Sequence, residues 1–159
     1  MKGSIAVSGI LGNNIVTQIG FIVKDINKTK QKFAEFFGVP APANCDGGPF
    51  EITAARYMGE PLPDANCQMA FFDAGPNVQL ELIQPNGVKS VWQDFLDEHG
   101  EGIHHIAFCV KGMEEKIAAC EAFGMKLTQR GKYGNGDGEY AYLAAYDDLK
   151  CLVELLENY

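Results

Sequence analysis

The sequence predicts an α+β fold: two paired βαβββ modules whose strands join into one open, curved, eight-stranded mixed sheet, a half-barrel. Two matches and one pattern carry this. Gln18-Ile-Gly-Phe-Ile-Val-Lys24 lines up with His105-Ile-Ala-Phe-Cys-Val-Lys111, identical at four of seven places. Leu80-Glu81-Leu82 lines up with Val153-Glu154-Leu155 in the same way. Between each pair the order of apolar patterns repeats: a strand, a helix, then further strands. A repeat of roughly 70 to 90 residues that preserves element order marks a duplicated unit. One unit yields half of a curved sheet and two complete it.

Taken in order, residues 1–13 read as a loose or strand-adding tail. They are too short and glycine-broken for a signal peptide. Residues 14–24 form the first strand. Asp25 can cap a helix that runs to Phe37, with Ile26, Phe33 and Phe37 on its apolar stripe and Gly38 as its stop. Residues 40–49 hold three prolines and two glycines and read as a loop. Strands are expected over 50–58, 68–74 and 78–84, with turns at 59–66 and 75–77. The first module therefore spans 14–86. Residues 87–101 are a helical connector, capped by Ser90 and ended by Gly100. Asp94, Asp97, Glu98 and Glu101 form its wet face, and His99 sits at its end. The second module, 102–157, repeats the plan: a strand over 103–111, a helix over 113–123, then strands over 126–132, 139–146 and 151–157. The whole chain, 1–159, reads as one domain.

Formal net charge is −8 and the pI about 4.8. No basic stripe is present, which argues against a nucleic-acid partner. No apolar run reaches the ~18 residues of a membrane span. The five cysteines form no Cys-x-x-Cys pair, and read as free thiols of a reducing, cytoplasmic setting. Gly131-Lys-Tyr-Gly-Asn-Gly-Asp-Gly138 is glycine-rich but lacks the strand-to-helix context of a nucleotide fingerprint, so a hairpin linker is expected there.

The repeat also aligns polar residues inside apolar strands. The first strands carry Gln18 and His105, and the last strands carry Glu81 and Glu154. Gly20 and Ala107, two residues further on, leave room beside the polar heads. Carboxylates amid such runs are costly to bury unless paired or bound to a cation. A divalent metal resolves the cost. One imidazole, two carboxylates and an amide oxygen suit Zn, Ni, Co or Mn. Such an ion polarises a carbonyl and stabilises the enolate formed by losing the adjacent proton. Glu154 or Glu81 can serve as the base that takes it. His104 matches Thr17 and should point the other way.

These residues carry a resemblance. The paired units, Gly-Ile-His-His-Ile-Ala-Phe over 102–108, Gly59-Glu-Pro, Gln79-Leu-Glu-Leu-Ile-Gln-Pro85 and Leu152-Val-Glu-Leu-Leu156 resemble the vicinal oxygen chelate (glyoxalase/bleomycin resistance/dioxygenase) superfamily. The methylmalonyl-CoA epimerase-like branch is the nearest. The resemblance implies paired βαβββ modules around one divalent ion held by Gln18, Glu81, His105 and Glu154. It departs at Gln18, where the epimerases place a histidine and some zinc-type glyoxalases a glutamine. It implies a metal-dependent epimerase or racemase that abstracts a proton next to a thioester or small-ketone carbonyl. The alternatives are a glyoxalase I-type lyase and a metal-free small-molecule-binding protein. A homodimer is the expected assembly. Arg56 is the candidate anchor for a substrate carboxylate or carbonyl, and Tyr142 a candidate wall of the substrate pocket.

Overall fold

The computed structural model describes residues 9–159. Much of the tail expectation therefore lies outside the described residues. Residues 9–12 form a tight turn closed by Gly12 N–H donating to Gly9 O at 3.2 Å, and Asn13 donates its amide to Cys109 O at 3.2 Å.

In the first module, β1 (Gln18–Ile22) leads into α1 (Ile26–Phe37). Asp25 accepts from Lys28 N at 3.0 Å at the helix start, and Gly38 ends it in the left-handed region, φ 69°, where a glycine carries no side-chain penalty. β2 (Cys45–Asp46), α2 (Phe50–Thr53), β3 (Arg56–Tyr57), β4 (Glu60–Pro61), β5 (Cys67–Asp73) and β6 (Gln79–Pro85) follow. The connector is α3 (Val91–His99), with Ser90 Oγ accepting from Gln93 N at 3.1 Å. The second module runs β7 (Gly102–Cys109), α4 (Met113–Ala122), β8 (Lys126–Lys132), β9 (Gly138–Ala144), α5 (Tyr146–Leu149) and β10 (Leu152–Asn158). No helix among the described residues is long and apolar enough to cross a membrane.

All strands join one sheet in the order β2-β5-β6-β1-β7-β10-β9-β8-β3-β4. The duplication is visible at its centre. β1 and β7 pair antiparallel, β6 lies parallel to β1, and β10 lies parallel to β7. α1 packs Ile26 and Ala34 with Phe72, Leu80 and Leu82, while α4 packs Met113, Ile117 and Cys120 with Leu143, Val153 and Leu155. α3 brings Val91, Trp92 and Phe95 to a third cluster with Ile22, Ile83 and Tyr142.

Among the described residues the sheet has ten strands rather than eight: β2 arises in the expected 40–49 loop and β4 in the expected 59–66 turn, and most of 50–58 is not a strand. Pro49 opens one helical turn there, and Ala54 then adopts φ 43°. Only Arg56 and Tyr57 remain extended. They pair with Arg130 and Gln129 of the second module, while Glu60 and Pro61 complete a small hairpin. β2 and β3 thus sit eight strand positions apart, a separation of roughly 38 Å in a flat sheet at about 4.8 Å per strand. The chain from Asp46 to Arg56, one helical turn included, reaches roughly 27 Å. The sheet has to curl for the segment 47–55 to span its two ends. Gly48 there meets the β8–β9 loop so closely that an added Cβ would lie 2.3 Å from Gly134 Cα.

Candidate metal centre

Strand register places the polar heads. In the parallel β1–β6 pair Gln18 sits opposite Gln79 and Gly20 opposite Glu81. In the antiparallel β1–β7 pair Gly20 faces His105 but Phe21 faces Ile103. His104 is therefore an extra, unpaired residue, a β-bulge. Strict alternation would turn it outward; the bulge instead lets both histidines lie inside, each fully buried. The expectation that His104 points away is corrected on this ground. Glu154 pairs with Ala107 on β7 and with Tyr142 on β9.

Gln18, Glu81, His105 and Glu154 come together. His105 Nε2 lies 3.0 Å from Glu154 Oε2, 3.3 Å from Glu81 Oε2 and 3.1 Å from Gln18 Oε1. The same corner of the Gln18 amide is 3.1 Å from each carboxylate oxygen. Four atoms with such separations define a tetrahedron whose centre is roughly 2 Å from each, near the usual 2.0–2.2 Å of Zn–N and Zn–O bonds. Gln18 Nε2 donates to Gln79 Oε1 at 3.0 Å, which turns the amide oxygen toward that centre. Four lone-pair acceptors around one point can hold a cation between them. The opposite amide orientation donates its N–H groups to all three neighbours but sets its oxygen 3.0 Å from Gln79 Oε1, the arrangement suited to a metal-free site.

The electrostatics show how strongly the four groups interact. Burial lowers the affinity of His105 for a proton, but Glu154 and Glu81 outweigh it and push the imidazole up to about 10. Burial pushes the Glu81 carboxyl up, against the pull of His105, and Glu154 adds to the rise. One imidazolium leaves two buried carboxylates under-compensated; a divalent ion with neutral His105 balances them. The donor set therefore fits a divalent metal.

The histidine pair also sets which nitrogen is free. His104 is held neutral, its basicity lowered by burial and then by His105. Val91 O, 3.3 Å from His104 Nε2, can only accept, so the single ring proton of His104 sits on Nε2. Its Nδ1 must then accept from His105 Nδ1–H at 2.9 Å. This leaves the His105 Nε2 lone pair aimed at the centre.

The site lies in a cavity of about 880 Å³ lined by both modules, the 45–49 segment and the β8–β9 loop. Tyr142 forms part of its wall, 5.2 Å centroid to centroid from the His105 ring, with its hydroxyl accepting from Trp92 Nε1 at 3.1 Å. Burial and both carboxylates hold its phenol protonated. Arg56 is not brought there. It is exposed on β3, donating to Gly59 O at 2.9 Å, because its strand pairs at the far edge of the second module. Sequence reasoning missed Gln79, Trp92 and Gln129. Gln79 shares a strand face with Glu81 two residues on, a signal that was available. Buried Gln129 accepts from Val91 N at 2.9 Å and so fixes the end of α3 that carries Trp92; no local pattern announces it.

Residues 17–142 match the family profile described as the Glyoxalase/Bleomycin resistance protein/Dioxygenase superfamily. The chain belongs to this superfamily. The uncharacterized protein YqjC of Bacillus subtilis (strain 168) is 33% identical over 99 residues, covering 62% of this chain and 70% of that protein. Among solved structures, methylmalonyl-CoA epimerase from Mycobacterium tuberculosis has a TM-score of 0.66 at 17% identity, covering 98% of this chain and 94% of its own. A Streptomyces coelicolor methylmalonyl-CoA epimerase variant in complex with 2-nitronate-propionyl-CoA has a TM-score of 0.63 at 19% identity, covering 90% and 96%. At such identities these two likenesses concern the superfamily fold.

Proposed function

We propose that the protein is a metal-dependent epimerase or racemase that moves a proton on the carbon next to a ketone or thioester carbonyl. The observation that carries this reading is the convergence of four lone-pair donors, Gln18, Glu81, His105 and Glu154, at the floor of a substrate-sized cavity. Those residues would hold one divalent ion of the Zn, Co, Ni or Mn kind, whose charge makes an adjacent carbonyl's α-hydrogen acidic. The chain's own residues do the rest. His104 holds His105 in the tautomer that presents Nε2. Gln79 aims Gln18. Glu81 on β6 and Glu154 on β10 flank the central β1–β7 pair from opposite sides. One, as the carboxylate, takes the proton from one face of the substrate, while its counterpart, entering as the protonated acid, gives its proton to the other face and inverts the centre, the two exchanging states at each turnover. The superfamily fold and its epimerase neighbours support the choice of reaction.

The test is uptake of solvent deuterium at the α-carbon of candidate carbonyl compounds, followed by NMR, with and without chelator. Exchange that disappears on chelation and returns with metal is expected. Conversion of methylglyoxal and glutathione, without α-exchange elsewhere, would move the assignment to a glyoxalase-type lyase. No exchange into any α-acidic carbonyl compound would reject the epimerase.

A further inference from the structure

We infer that the site accepts an uncharged ketone with a ring-bearing, apolar body and rejects acyl-coenzyme A thioesters. This rests on the reading above and narrows it to one substrate class. The first ground is charge. Among the described residues lining the cavity, one cation, Lys132, stands against four carboxylates, Asp46, Asp137, Glu81 and Glu154. A divalent ion cancels Glu81 and Glu154 at the floor. Asp46 and Asp137 remain, both exposed at the mouth, Asp46 in β2 just before the 47–55 segment and Asp137 on the β8–β9 loop. A thioester of coenzyme A would have to bring several phosphate charges past them.

Phosphate recognition normally uses arginine or lysine held free for it. Lys132 is the one cation on the described lining, and Arg130, Lys111 and Lys30, which lie off it, are engaged elsewhere. Arg130 is closed between Glu114 at 2.6 Å and Glu139 at 2.8 Å. Lys111 Nζ donates to Asn158 O at 2.9 Å, and Lys30 Nζ to Pro42 O at 2.9 Å and Asn44 Oδ1 at 2.7 Å. The chain as a whole carries −8, so the long-range field also turns anions away.

The second ground is the wall. Trp92, Tyr140 and Tyr142 form a mutually tilted aromatic cluster with centroids 5.6 to 6.3 Å apart, and Phe71, Met69 and Ile83 continue the apolar lining. Buried aromatic faces and edges receive rings well. Thr17 and Gln79 supply a few polar contacts near the floor. An uncharged carbonyl set at the floor, with a ring against Trp92, suits the polar floor and the aromatic wall.

Trp92 is the chain's single tryptophan, so ligand binding has a built-in reporter. Metal-loaded, full-length protein is titrated with 2-phenylcyclohexanone by Trp92 fluorescence and calorimetry, and with methylmalonyl-CoA by calorimetry. Both compounds are then followed in D2O by NMR. Saturable ketone binding, chelator-sensitive exchange at its α-carbon, and methylmalonyl-CoA binding at least 100-fold weaker are expected. An Asp46→Lys, Asp137→Lys double variant should gain at least tenfold in affinity for methylmalonyl-CoA. Exchange into methylmalonyl-CoA with none into the ketone overturns this inference and leaves the epimerase reading standing. Equal affinity of the wild type for both compounds overturns it as well. Ketone binding without any exchange supports the ligand class and rejects the enzyme reading. A double variant that folds, by circular dichroism, yet gains nothing for methylmalonyl-CoA refutes the charge argument.

Discussion

Replacing Gly20 with alanine puts one methyl group into the Gln18, Glu81, His105 and Glu154 cluster. The added Cβ would lie 1.9 Å from His105 Cε1, 2.4 Å from Nδ1 and 2.5 Å from Nε2. Ordinary carbon contacts begin at about 3.5 Å, so the imidazole must retreat by about 1.6 Å. The ring is held at 2.9 Å by His104 and at 3.0 and 3.3 Å by the two carboxylates. A retreat of that size breaks at least one of these contacts. Overpacking alone costs about 1–3 kcal/mol, and leaving a buried charge unpaired costs about 3–5 kcal/mol. Together these come to about 4–8 kcal/mol, and at roughly 2–4 °C per kcal/mol for a chain of this size G20A should lower Tm by roughly 8–32 °C. The sign is diagnostic. Gly20 is not among the positive-φ glycines, and alanine in open space at such a position stabilises by about 0.4–1 kcal/mol. The assays are thermal denaturation by circular dichroism and metal content by mass spectrometry. A variant that melts at or above the wild-type temperature and binds one metal ion with wild-type affinity would refute the placement of His105 beside β1.

Further outcomes follow from the same geometry. Zn or Co at 100 times its Kd should stabilise the metal-free protein by about 2.7 kcal/mol, a rise of roughly 5–11 °C in Tm, and His105→Ala should abolish the rise. His104→Phe keeps a ring in place but strands His105 Nδ1–H; it should lower metal affinity roughly 10–100-fold in a chelator competition. Glu154→Gln and Glu81→Gln should each slow α-deuterium exchange by about 10²–10⁴-fold, measured by NMR. Glu157 accepts from Gly112 N at 3.0 Å and Met113 N at 2.8 Å, bonds that hold its carboxyl below the usual range. A carboxyl depressed in the folded state stabilises above its unfolded value near 4.5 and loses that contribution as pH falls through its folded value. Glu157→Gln should therefore lower Tm at pH 7, and the gap to wild type should close toward pH 3.

Much of the fold and the four converging heads can be read from the chain, because duplication aligns them twice. Gln18 with His105, and Glu81 with Glu154, repeat against similar apolar neighbours, and a curved sheet has to bring equivalent positions of both halves to its centre. The rest depends on events without local signature. Period-two alternation places His104 outside; a single bulge overrides it. The run Phe50–Met58 contains good strand formers, yet Pro49 and the left-handed Ala54 break it, and the partner of what remains is Arg130, far along the chain. That displacement also removed Arg56 from the pocket. Gln129 and Trp92 act through a contact between the connector helix and the second module, which a reading of either segment alone does not reveal.

The hairpin that crosses from one half to the other also imposes an order on synthesis. Arg56 and Tyr57 leave the ribosome long before their strand partners Arg130 and Gln129 exist. At roughly 5–20 residues per second, the interval is roughly 4–15 s. During that time the first half can pair β1, β5 and β6 but cannot close the ring of strands around its future centre. Pairing so distant in sequence is slow to form, and a nascent half with an unclosed edge is the species in which this chain is most exposed to mispairing.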